Sequence, residues 1–375
     1  MQDKDFKDFY GADPVACWLI EKCNLTPVTL GMLSIVITSS LYLIAATVSK
    51  TLILHGKPLG LLQDWFAWVW ICLLNPVIFG YYLWSFKAIY ELIDYLKKSG
   101  IVDITEAEIN SVSSPYKKSW RQFLALGTAI AFGIWYFYVQ RNVANWTGSD
   151  GGIPALTGAI NGVAIFYAGS ILVLNLITNV WLLHELLGKK QGDEKDKKKE
   201  NKQLNINPLH PDRCGGLGLL SQYSLNTAYL AAIFGTMITL GKYQLISQGI
   251  AEEYWYFNLT ILLYIPVSLV CFFGPLLAAR RGMRKAKEEL LGEIAKQFQI
   301  EYKRIHTSLS SDGETLKKET AKLQELRSLY TLTNDFPVWP FDVTTFRQYL
   351  LSVVTPLLPL VIKLGEYYFK RMVVK

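Results

Sequence analysis

His210, Asp212, Arg213 and Cys214 put an imidazole, a carboxylate, a guanidinium and a thiol into one short run, Pro208-Leu209-His210-Pro211-Asp212-Arg213-Cys214-Gly215-Gly216-Leu217-Gly218. In nucleophilic catalysis Cys214 would be the thiolate, His210 its base and Asp212 the group that orients the base. Pro211 stiffens the chain between them, and side chains this close in sequence rarely converge on one atom. As metal ligands, His210, Asp212 and Cys214 lack the second pair that a zinc site needs. The plainer expectation is a tight turn. Asp212 would cap the segment that follows, Arg213 would meet a carboxylate elsewhere, and Gly215 and Gly216 would allow close backbone approach or positive φ. No catalytic residue, metal, cofactor or enzymatic activity is expected.

A second set of polar residues falls inside apolar sequence. Asn161, Asn175 and Asn179 are separated by 14 and 4 positions, which places them on one face of a helix. Such side chains either hydrogen-bond between helices or line a watery path. Near the C-terminal end, Thr355, Lys363 and Glu366 interrupt another apolar run. Lys363 and Glu366 are three apart and can pair on one helix face. These six residues are the candidates for a pore or ligand site. A third motif, Asp335-Phe336-Pro337-Val338-Trp339-Pro340-Phe341-Asp342, is a stiff elbow. Pro337 and Pro340 force extended backbone, Trp339 suits a membrane interface, and Asp342 can cap a following helix.

The elements that must position these residues are membrane helices. Of 375 residues, 51% are hydrophobic and only 18% are charged. Mean hydropathy is +0.21. Apolar windows run over Val28–Val48, Trp65–Phe86, Phe123–Val139, Leu156–Leu183, Leu225–Leu240 and Tyr256–Ala279. A spanning helix needs about 20 such residues. Tyr349–Ile362 is a shorter seventh candidate carrying Pro356 and Pro359, and a full span is favoured over a re-entrant hairpin. The fold class is therefore an all-α, polytopic helical membrane protein. A soluble enzyme, a disulfide-stapled secreted module and a disordered regulator are excluded. Cys17, Cys23, Cys72, Cys214 and Cys271 form no disulfide or zinc pattern.

Charge sets the expected orientation. The loops at 49–64, 140–153 and 242–253 hold 4 Lys and Arg, whereas the N-terminal segment and the loops at 87–121, 187–222 and 279–348 hold 30. By the positive-inside rule the N-terminus is cytoplasmic.

Six regions follow. Residues 1–26 form a cytoplasmic segment suited to the interface, and 27–186 carry the first four spans. A charged linker, expected to be disordered, occupies 187–203. Residues 204–279 contain the His210–Gly216 motif and two further spans. In 280–334, Leu291, Ile294, Phe298, Tyr302, Ile305 and Leu309 form one helical face. Leu316, Leu323, Leu326 and Tyr330 form another after a turn at Ser310–Gly313. This is a cytoplasmic helical hairpin. Residues 335–375 are the elbow and the terminal span.

No internal repeat, selectivity-filter motif or set of buried carboxylates indicates a transporter. The leading expectation is a channel-like homo-oligomer with its pore between subunits, gated or anchored by the hairpin. A sensor or scaffold that recruits a partner through the hairpin is the alternative. A membrane enzyme using His210–Cys214 ranks third. The lipid bilayer and further copies of the chain are the expected partners, and no nucleic acid is expected.

Overall fold

The computed structural model describes residues 3–55, 59–102, 104–142, 146–148, 152–188, 206, 210, 212, 214–248, 256–307, 313–363 and 365. Among them the regular structure is entirely helical. The helices are α1 (Asp3–Tyr10), α2 (Pro14–Cys17), α3 (Pro27–Val48), α4 (Trp65–Val69), α5 (Asn75–Lys98), α6 (Glu106–Ser113), α7 (Trp120–Asn142), α8 (Ile153–Gly188), α9 (Gly218–Gln248), α10 (Tyr256–Thr307), α11 (Gly313–Asn334) and α12 (Val343–Val354). Seven spans among the described residues are long and apolar enough to cross a bilayer, the last being Val343–Lys363. The protein is a multi-pass, all-α membrane protein.

Every span extends beyond or otherwise departs from its apolar window, because a helix ends at a cap and not at the hydrocarbon edge. Thr26 and Thr29 form a capping box ahead of α3, with Pro27 in the first turn. The largest departure is the fifth span, which runs from Gly218 to Ile246 and not over Leu225–Leu240. Its window is 61% buried, so protein surrounds it. An enclosed helix tolerates Ser221, Ser224 and Thr227, all buried, which dilute the hydropathy signal.

α8 packs on α3, α5, α7 and α10, and α9 packs on α5, α10 and α12. α3 approaches α5 closely at Gly31, where a Cβ would lie 2.9 Å from the Pro76 carbonyl oxygen. Helix-breaking prolines in lipid require substitute donors for the carbonyls they free. Pro275 frees the Cys271 carbonyl, and the Thr227 hydroxyl donates to it at 2.7 Å. Pro356 frees the Ser352 carbonyl, and the Tyr264 hydroxyl donates to it at 3.3 Å.

Two expected regions take on detail in the structure. The N-terminal segment does not simply lie in the interface. Phe9, Tyr10, Ala16 and Leu19 are buried in the main core, and Trp18 and Val15 remain exposed. The hairpin forms from α10 and α11, and its apolar faces are only partly covered, with Ile305 half-buried at the far end. Ile294 is buried, whereas Phe298 and Tyr302 are exposed. On α11 the half-buried positions are Leu323, Leu326 and Leu329, with Tyr330 turned outward. A short two-helix hairpin has one seam, and α10 is a single helix of 52 residues, about 78 Å in all, that holds both the sixth span and the first arm of the hairpin. Leu309, most of the turn at Ser310–Gly313 and the linker from Lys189 to Asn205 lie outside the described residues.

The N-terminal segment, the 99–119 connection, the 206–217 turn and the base of the hairpin share one side of the bundle. Asp8 pairs with Lys117 at 3.0 Å. The Tyr95 hydroxyl donates to the Gly216 carbonyl at 3.0 Å.

Candidate functional site

Asn175 and Asn179 of α8 belong to a buried polar network that crosses five elements. Asn175 and Asn179 are 1% and 0% exposed. The Asn175 Oδ1 accepts from the Arg121 guanidinium at 2.6 Å, and its Nδ2 donates to Ser85 Oγ at 2.8 Å. Asn179 Nδ2 donates to the Tyr223 hydroxyl at 2.8 Å, and its Oδ1 accepts from the Tyr116 hydroxyl. Ser85 Oγ in turn donates to the Tyr82 carbonyl at 2.8 Å. Asn161 stands apart beside Tyr42, nearly four turns from Asn175. The three asparagines thus face the interior of the helix bundle.

Asp13 and Arg121 are the charges in this network, and sequence reasoning missed both. Asp13 is 2% exposed and Arg121 is 3% exposed. Asp13 caps α2 by accepting the backbone N–H of Val15 and Ala16. It also accepts the hydroxyls of Tyr82 at 2.8 Å and Tyr167 at 2.9 Å. Arg121 lies over the Tyr116 ring, 5.0 Å from its centroid, and donates to the Pro115 carbonyl at 3.2 Å. The two residues are near enough for their charges to interact. Each is surrounded by the hydrogen-bonding dipoles that a buried ion in a membrane requires. The Asp-Pro pair at a helix start was the one available signal, and it reports a cap without revealing burial.

In the His210–Gly218 motif, Asp212 occupies the amide cradle. Its carboxylate accepts the N–H groups of Cys214 at 2.9 Å, Gly216 at 3.0 Å and Gly218 at 3.1 Å. His210 Nδ1 lies 2.7 Å from Asp212 Oδ1. Burial pushes the Asp212 carboxyl up, but these donors outweigh it and hold the group below the usual carboxylate range. Its contribution to stability is present above that ordinary range and is lost as pH falls through the depressed folded value. Gly215 and Gly216 take φ of 68° and 90°. Burial, then the charges of Asp212 and Asp342, push the Cys214 thiol up to about 12. That is the opposite of an activated nucleophile. Arg213, Pro208 and Pro211 lie outside the described residues. Gly216→Val should cost about 1–3 kcal/mol, from backbone strain and a Cβ 2.9 Å from Ile101. Cys214→Ser should leave any activity intact, and comparison of folded yield and activity in the two variants checks both.

The elbow comes to the same side as this turn. Asp342 caps α12 by accepting the Thr345 N–H at 2.8 Å. Trp339 lies under the Arg280 guanidinium, 4.4 Å from its ring centroid. Phe341 packs with Phe272, Phe273 and Phe346. Tyr349 stacks on Phe272 at 4.1 Å. Lys287 Nζ donates to the carbonyls of Asn334 at 2.6 Å and Phe336 at 3.0 Å. Asp335, Pro337 and Pro340 therefore sit between a hairpin and a span that are tied together on both sides.

In the terminal span, Lys363 does not share a face with Thr355. Its ammonium lies over Tyr243 of α9, 5.2 Å from the ring centroid, within the same chain. Thr355 is exposed, and Glu366 lies outside the described residues. Among the described residues no cluster of three or more His, Cys, Asp or Glu could hold a metal ion. Compared with protein-family models, curated proteins and solved structures, the chain shows no match.

Proposed function

We propose that the chain is the subunit of a channel-like homo-oligomer in which terminal spans from several copies surround a passage and the hairpin sets their position. The observation that carries this reading is the terminal span itself. Only 17% of its window is buried within the chain. Leu351, Thr355, Leu358 and Ile362 form an exposed seam at coiled-coil spacing. A passage lined by that seam is apolar and closes by dewetting. Lys363, turned onto Tyr243, has no part in it, and Asn161, Asn175 and Asn179 serve the subunit interior. The side that carries the N-terminus and the hairpin is the cytoplasmic one, because it holds 30 of the Lys and Arg residues counted above against 4.

A scaffold that recruits a partner through the hairpin is the second reading, favoured by exposed Phe298, Ile300, Tyr302 and Tyr330 away from the membrane.

Reconstitution into planar bilayers, with native mass spectrometry of the same preparation, separates the two. The channel reading expects an oligomer whose conductance rises at least about tenfold in Leu358→Asn, since one polar side chain per subunit wets an apolar constriction. A monomer with no conductance in either form overturns it.

A further inference from the structure

We infer that the cavity between the N-terminal segment and α5, α7 and α8 is a lipid site, taking one acyl chain with a hydrogen-bond donor in its headgroup. The cavity measures about 710 Å³ and is lined by Leu30, Phe79, Val163 and Ala168 among other apolar residues. That volume is within the range of roughly 300–1,000 Å³ typical of specific pockets. It lies within the membrane, since its walls are spans. Phe123, Leu126 and Ile160 border it and are themselves exposed, so it opens toward lipid hydrocarbon. Bilayer lipid is the molecule present at such a mouth.

Its depth suits one chain. Along α7 the lining runs from Ser119 to Leu126, about 10 Å. That is most of one leaflet of a core about 30 Å thick. Ala12 and Pro14 bring the rim to the level of the N-terminal segment. Trp18 and Trp120, both largely exposed, flank this level as interfacial aromatics do.

The polar atoms of the wall indicate the headgroup. The Tyr82 and Tyr167 hydroxyls are taken up by Asp13. Gln122 Oε1 is buried and has no hydrogen-bond partner. It lies one turn from the rim residue Ser119, where the ammonium of a lipid headgroup can donate to it.

The test uses the purified full-length protein in detergent, equilibrated with lysophosphatidylethanolamine and observed by native mass spectrometry. One lipid per chain should be retained. Ala164→Trp and Leu126→Trp, each filling the space from an exposed position, should weaken retention at least about tenfold. Their melting temperatures should match the parent's. Gln122→Leu should weaken it about five- to tenfold. Lysophosphatidylcholine, which has the same tail and no N–H, should be retained more weakly by a similar factor. Equal retention by both tryptophan variants overturns the site. Equal retention of the two lipids, or an unchanged Gln122→Leu protein, overturns the hydrogen bond at its rim.

Discussion

Asp13→Ala should lower the stability of the folded bundle by about 3–5 kcal/mol. Four donors converge on this carboxylate: two backbone N–H groups and the hydroxyls of Tyr82 and Tyr167. Hydrogen bonds to a charged acceptor contribute about 1.5–3 kcal/mol each, and they are not additive. The alanine variant leaves two tyrosine hydroxyls without an acceptor. Asp13→Asn keeps an acceptor for part of the set and should cost about half as much. Thermal unfolding of the detergent-solubilised variants measures both. Identical melting temperatures for wild type and Asp13→Ala would show that the carboxylate does not hold the N-terminal segment to the bundle.

The second large effect is expected at the joint between hairpin and membrane. Tyr349 is 3% exposed and stacks face to face on Phe272, with Phe273 at its edge. Tyr349→Ala removes a buried ring from an aromatic cluster, at a cost of about 3–5 kcal/mol. The loss is local, because α12 touches only α9, α10 and its own continuation among the stronger packing partners. Hydrogen exchange over 343–363 should rise at least about tenfold, with α7 and α8 unchanged. In the channel reading, the same variant should also uncouple conductance from deletion of 280–334. Exchange that rises equally across all spans would show that the terminal span is integral to the core and not a separable element.

The proline arrangement explains why this span can be peripheral and still intact. Pro356 is buried, and the carbonyl it frees meets the Tyr264 hydroxyl. A proline-containing helix is therefore no evidence by itself for a watery surround; the donor across the interface suffices.

Composition alone determined the membrane class and six apolar helices, with the seventh a shorter candidate. Each span must supply its own apolar length whatever its neighbours are, so these properties are local in sequence. The α12 cap at Asp342 and the positive φ at Gly215 and Gly216 were legible for the same reason. The face shared by Asn175 and Asn179 was legible too, from helical spacing.

What those asparagines meet was not. Arg121, Ser85 and Tyr223 come from three other helices, and Asp13 joins them from a segment that reads as an ordinary polar N-terminus. Lys363 could be placed on a helix in the sequence, but only packing against Tyr243 decided which way it faces. Helical periodicity fixes which residues lie together on one element. Which element they turn toward depends on how the prolines, the close approach at Gly31 and the aromatic joint set the helices against one another, and that information is distributed over the whole chain.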